Sequence, residues 1–240
     1  MTMSAARPTT RLSATDLYVS ARESFIAVLR QVPDEKLDDI VPATPLWTAR
    51  DVAAHLAGVC EDLVNSKLPT PETFTEWTQA QVDRRKGWPL DGVLEFWDGL
   101  LQQAAEGFQS GRISETPCID VATHEQDLRG FLPLPGGRSE PAYRFGVAGL
   151  RGRFLGQVTG ASLPVLAIET ESGRWVSAES EPESTLSVAE FELFRACGGR
   201  RSFAQMAAFD WNTDPTPYLP LIPIFGPRAD DLVEPDMTRA

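Results

Sequence analysis

Apolar residues recur at helical spacing through the first half of the chain and lose that regularity in the second. Leu17, Ala21, Phe25, Val28 and Leu29 mark one face of residues 13–32, as in an amphipathic helix, with Ser13 and Thr15 as two possible N-caps. Residues 49–66 carry a second stripe, Val52, His55, Leu56, Val59 and Leu63. Thr48 precedes it with Asp51 three positions on, the spacing of a capping box. A weaker helix is expected over 71–86, with Pro71 suited to its start and Gly87 to its end. A fourth runs from about Pro89 to Gln109, with Val93, Trp97, Leu101 and Phe108 on its buried face. The last starts at Thr116-Pro117, read as a cap and the first helical residue, and ends near Gly130. Four main helices plus an insert, joined by short connections, predict an antiparallel four-helix bundle.

The stretch PLPGGRSEP at 133–141 interrupts this pattern with three prolines and two glycines, the composition of a linker. Beyond it, LPVLAIET at 163–170 and RWVSAES at 174–180 predict two strands around a turn at Glu171–Gly173. SVAEFELFRACGG at 187–199 predicts a helix capped by Ser187, and RSFAQMAAFDW at 201–211 a shorter one. The fold class is therefore α+β. Its expected order is a flexible N-terminus over 1–12, a helical bundle over 13–132, a linker over 133–141, a small α+β domain over 142–222 and an extended tail over 223–240.

Composition narrows the partners. A net charge of −12 with no basic patch argues against nucleic acid and anionic membrane; the densest basic runs, at 84–86 and 200–201, are short. No apolar run approaches the roughly 18 residues of a membrane span, and the first residues lack the apolar core of a signal peptide. Cys60, Cys118 and Cys197 are odd in number and form no CxxC pair, which fits free thiols in a reducing compartment. The expectation is a cytoplasmic protein, monomeric or weakly dimeric, that acts on small molecules.

The chain has only two histidines. Asp120 and His124 are four apart on the last bundle helix and share a face, and Asp127 follows three positions later. Val121, Leu128 and Phe131 lie on that face too, so His124 points inward between two carboxylates. His55 also lies on an apolar stripe. Two inward imidazoles and one carboxylate make a set of three N/O ligands of the kind bundles build, with positions left open for water or substrate. Zinc, nickel and iron all accept it. Asp127 would bond a ring nitrogen from behind. The competing reading is that each histidine is a core residue bonded to a backbone carbonyl. Glu125, about 100° around the helix from His124, is expected to be solvated. Cys60 lies about 140° around its helix from His55, too far to share a metal. Cys118 opens a helix whose dipole would lower its pKa, or is a small residue near the core. Trp77, Trp88 and Trp97 either line a pocket or fill the core. Arg200 and Arg201 follow a helix C-terminus, where they complement its dipole or bind an anion.

Three stretches together resemble the maleylpyruvate isomerase/mycothiol-dependent enzyme family of the DinB-like superfamily: PLWTARDVAAHLAGV at 45–59, DVATHEQDLRG at 120–130 and SVAEFELFRACGGRRS at 187–202. The resemblance covers roughly residues 13–222. It implies a DinB-like four-helix bundle followed by a sterol-carrier-like α+β domain. It implies a divalent metal, zinc before nickel or iron, held by His55, Asp120 and His124; many members carry glutamate at the Asp120 position. It places the family's C-terminal arginine on Arg200, with Arg201 as the neighbouring alternative; in an enzyme of this kind Arg200 would hold a carboxylate of the thiol cofactor or substrate and Asp127 would orient a ligand. The activity implied is isomerisation or S-transfer with mycothiol or another low-molecular-weight thiol attacking an electrophilic small molecule. The alternative is a non-enzymatic metal-binding or regulatory protein on the same scaffold.

Overall fold

A computed structural model describes residues 12–235. The expected flexible start, up to residue 11, and the last five residues of the expected tail lie outside the described residues.

Ser13, not Thr15, caps helix α1 (Ala14–Leu29): its hydroxyl accepts from the Asp16 N–H at 3.1 Å. At α2 (Ala49–Val64) the capping box is complete. The Asp51 N–H donates to Thr48 Oγ1 at 3.1 Å, and the Thr48 N–H donates to Asp51 Oδ2 at 3.0 Å, satisfying two otherwise orphaned helix-start donors. The third helix, α3 (Phe74–Asp83), is shorter than expected. The expected fourth helix is two, α4 (Leu90–Gly99) and α5 (Leu101–Gln109). They break at Leu100, whose N–H bonds Trp97 O three residues back. Gly99, a poor helix former, stands at the break. Helix α6 (Thr116–Phe131) has Glu115 at its cap position and Thr116 as its first residue, so it starts one residue before the sequence reading placed it.

Helices α1, α2, α4–α5 and α6 enclose Phe25, Leu56, Trp97 and Leu128, all essentially without solvent exposure. The Trp97 indole N–H donates to Tyr18 Oη at 2.9 Å, which meets the polar end of a ring buried for its apolar area.

The largest departure from expectation is α7 (Pro141–Gly160), a 20-residue helix packed along α6 and α1. Its five glycines hide it, because glycine costs about 1 kcal/mol against alanine in a helix. Two of them are needed for close approach. A Cβ on Gly146 would lie 3.0 Å from the Phe194 ring, and one on Gly149 would lie 3.1 Å from Ile119. The glycines thus let α7 settle on α6 and on α8 (Glu190–Cys197). Packing contributed by its neighbours offsets the poor propensity.

A four-stranded sheet completes the α+β fold: β1 (Leu166–Thr170), β2 (Gly173–Val176), β3 (Ser184–Ser187) and β4 (Asp210–Trp211), in the order β2-β1-β3-β4. β1 pairs with β3 in parallel, and the other pairs are antiparallel. Ser187 ends β3 rather than capping α8, whose cap position is Ala189. The shorter helix, α9 (Phe203–Ala207), stops early because residues 210–211 join the sheet. Among the described residues, no helix is long and apolar enough to cross a membrane.

Beyond residue 222 the chain is extended but fastened. The Ile224 N–H bonds Cys197 O at 2.9 Å, and the Arg228 guanidinium donates to Pro42 O at 3.0 Å. Phe225 stacks on Phe74 with ring centroids 4.5 Å apart, and Leu232 is buried. The Ser202 hydroxyl bonds the Asp231 carboxylate. Glu234 ends this strap between two buried arginines, 2.6 Å from Arg195 Nη2 and 2.9 Å from Arg201 Nη1. Removing one member of a buried charge cluster leaves its partners uncompensated. Glu234→Ala is therefore expected to lower unfolding free energy by about 3 kcal/mol in urea titration; a change under about 0.5 kcal/mol would show that the strap carries no such load.

Candidate metal centre and its cavity

Helices α2 and α6 cross so that His55 and His124 face each other, with ring centroids 5.1 Å apart and Asp120 between them. His55 Nε2 lies 3.4 Å from Asp120 Oδ2, and His124 Nε2 lies 3.6 Å from Asp120 Oδ1. One ligand atom from each of the three residues falls within 4.8 Å of the others. Both imidazoles are buried, whereas Asp120 is partly open. The two separations exceed good hydrogen-bond distances of about 2.7–3.2 Å. They match the edge of a tetrahedron with arms of about 2.1 Å, the length of zinc–nitrogen and zinc–oxygen bonds. The donor set therefore fits a divalent cation better than it fits a direct hydrogen-bonded cluster. Neither Nε2 has been turned toward a backbone carbonyl, as the core-histidine reading would require.

Asp127 stands behind His124, with Oδ2 2.9 Å from Nδ1. The contact is at ion-pair distance but outside hydrogen-bond geometry; a carboxylate at that position favours the proton on Nδ1 and the lone pair on Nε2. Asp127 is held in turn by two arginines. Arg195 Nη1 donates to Oδ1 at 2.7 Å, and Arg200 donates from Nε to Oδ1 at 3.2 Å and from Nη2 to Oδ2 at 2.6 Å. Arg201 does not line the cavity. It is buried against Glu192, with bonds of 2.6 and 2.8 Å, and against Glu234. Trp47, on the loop before α2, lays its ring 4.6 Å from that of His55 and donates from Nε1 to Gln79 at 3.2 Å.

The expected solvation of Glu125 is not what the structure has. Glu125 is buried and bonded to Arg129 at 2.8 Å. The segment expected to be a linker folds over α6 there, and Gln126 donates to Gly136 O. Arg195 was not anticipated as part of the site. Its signal was present: a lone arginine among Phe191, Phe194 and Ala196 on a helix with little polar face. Cys60 lies away from the metal-facing residues, beside Tyr18 and Trp97. Cys118 is buried, and burial followed by Glu115 pushes its thiol up to about 12, against the lowering a helix start would give. Of the three tryptophans, Trp77 lines the cavity, Trp97 is core and Trp88 is exposed.

The three metal-facing residues form the floor of a cavity of about 630 Å³, which Arg200 also lines. Burial pushes the Asp127 carboxyl upward, but Arg200, Arg195 and His124 outweigh it and hold the group well below the usual carboxylate range. For Asp120 burial is likewise outweighed, by His55, His124 and Arg200, and the pKa is lowered. For His124 burial dominates over the two carboxylates and lowers the imidazole pKa. All three groups bind protons less readily folded than unfolded, so each contributes stability at neutral pH that is lost on acidification. For the metal-free protein the urea midpoint is expected to fall below the ordinary histidine pKa of about 6.5, and again as the carboxylates protonate below about 4. A midpoint constant from pH 7.5 to 5 would contradict this assignment.

Residues 18–112 match the family model described as Mycothiol maleylpyruvate isomerase N-terminal domain. A crystal structure of the mycothiol-dependent maleylpyruvate isomerase superposes with a TM-score of 0.54 at 16% sequence identity, over 85% of this chain and 94% of that one. At that identity the likeness is one of fold. None of the curated proteins matches the chain.

Proposed function

We propose that the chain, whose residues 18–112 match the Mycothiol maleylpyruvate isomerase N-terminal domain model, is a metal- and thiol-dependent enzyme acting on an electrophilic small molecule. The observation that carries this reading is the His55, Asp120 and His124 cluster on the floor of an open cavity. Those three residues would hold a divalent cation, with zinc the first choice. A cation there lowers the pKa of a bound thiol and so favours the nucleophilic thiolate.

The chain supplies no thiolate of its own. All three cysteines are buried. Burial raises the thiol of Cys60 and pushes that of Cys197 up to about 12, close to the value for Cys118. That burial supports a nucleophile supplied from outside, such as mycothiol or another small thiol. Arg200, fixed on Asp127, presents its remaining N–H donors to the cavity and would hold a carboxylate or developing oxyanion of the substrate. Asp127 keeps His124 in the tautomer and direction needed for ligation. Thiolate addition to a conjugated double bond forms a C–S bond as the C=C π bond breaks and its electron pair moves to the conjugated carbonyl oxygen, giving an enolate that either returns the pair or takes a proton from water. Rotation and expulsion of the thiolate then give the isomer, whereas protonation of the adduct gives the S-conjugate.

Two measurements test the reading. Elemental analysis is expected to find about one divalent metal in the native protein and little in His55→Ala or His124→Ala, while Asp127→Asn weakens metal binding about 10–100-fold. Full metal loading of the two histidine variants would refute the site. The zinc-loaded protein is then incubated with mycothiol and maleylpyruvate, and with a simple conjugated enone, following the loss of each substrate. Consumption of at least one of the two electrophiles, dependent on both thiol and metal, is expected. A metal-loaded protein inert toward every thiol tested would favour the non-enzymatic alternative.

A further inference from the structure

The walls of the cavity differ in character from its floor. Apart from the metal-facing cluster, Arg200 is the only charged residue lining it among the described residues. Three of its five N–H donors are already engaged, on both oxygens of Asp127 and on Gly198 O. No lysine and no second arginine reaches the space. Above the floor most of the lining is apolar, including Val59, Leu63, Trp77, Ile119 and Leu150, interspersed with uncharged hydroxyl and amide side chains such as Thr78 and Gln79. At the rim the same character reaches solvent. Leu46 is 81% exposed, Leu68 68% and Phe225 58%, with Ile224 beside them. These are four of the ten large apolar side chains exposed among the described residues, and all four line this one cavity. Exposed apolar groups gathered at a concavity mark a binding surface.

From this distribution we propose that the electrophile is an apolar or amphiphilic molecule, uncharged or carrying a single carboxylate, whose body lies against the wall from Ile119 to the Leu46–Leu68–Phe225 rim. The inference rests on the thiol-dependent reading of the same site and adds the substrate class. A small dicarboxylate would find one half-committed guanidinium for two charges and would leave the apolar walls wet. Each buried CH₂ of an apolar body, in contrast, gains hydrophobic free energy from those walls. The volume lies within the range of small-molecule sites. Rim and floor residues line the same cavity, so a ligand held at the rim has access to the floor. The C-terminal strap contributes directly: Phe225 is braced by stacking on Phe74, which lines the cavity too.

Binding alone tests this, with neither thiol nor turnover involved. The full-length protein, metal-free and zinc-loaded, is titrated with the neutral fluorescent probe N-phenyl-1-naphthylamine. The bound probe is then challenged with a neutral medium-chain alcohol, a medium-chain monocarboxylate and maleate. Probe binding in both forms is expected, with displacement by the alcohol and the monocarboxylate at concentrations at least tenfold below that of maleate. Leu68→Ser and Phe225→Ser are each expected to weaken the probe about tenfold while zinc content stays at the native level. Displacement by maleate as effective as by the alcohol, or probe affinity unchanged in both variants, would overturn the proposal. Because no chemistry is read, that result would leave thiol dependence standing. A protein that binds the probe but consumes no electrophile would instead reject the enzyme reading alone.

Discussion

Asp127 must be neutralised before this fold can close. It sits without solvent exposure on α6, where an isolated carboxylate would cost several kcal/mol. Its two oxygens meet Arg195, Arg200 and the imidazole of His124. Arg195 belongs to α8 and Arg200 to the turn that follows it, so satisfying one side chain on the bundle fixes how the C-terminal half docks. The balance extends outward: Asp127, Glu192 and Glu234 face Arg195, Arg200 and Arg201, three charges of each sign. Arg200 gains a fixed direction toward the cavity from this arrangement, and His124 gains a fixed ring orientation.

The cavity above that cluster combines two environments. Its floor gathers imidazoles, carboxylate and guanidinium, and its walls are uncharged and mostly apolar. Charges at the base of an apolar well act in a lower effective dielectric than they would at the surface, which strengthens their hold on a bound anion or cation. The same walls limit water at the reacting atoms. Trp47 contributes to both environments, since its ring shields His55 while its N–H is satisfied by Gln79.

Much of this was legible in the order of residues, for identifiable reasons. The capping box at Thr48 and the stripe from Val52 to Leu63 depend on local spacing, and they set both α2 and the inward direction of His55. The i, i+4 relation of Asp120 and His124 is equally local. What could not be read depended on distant packing. Helix α7 is glycine-rich because its neighbours press close at Gly146 and Gly149, and glycine alone reads as a breaker. Glu125 looked solvated because a helix wheel cannot show that residues 133–141 fold over it. The strap beyond residue 222 looked unattached because its anchors, Arg195, Arg201 and Phe74, lie far in the chain from the strap residues they hold.

The pairing of Asp127 also bears on the order in which the chain becomes structured. All three metal-facing residues exist once synthesis passes residue 124. Arg195, however, lies 68 residues beyond Asp127, and Arg200 lies 73 beyond it. Until those segments emerge, the Asp127 charge on the face α6 must bury has only the His124 imidazole beside it and no cation to offset it, and early closure of the bundle around its histidines is opposed. Contacts of such separation also carry a large loop-closure entropy. A ribosome-bound chain would thus hold its ligand residues on incompletely packed helices, and the finished centre would arise only after the last arginine and the strap have been made.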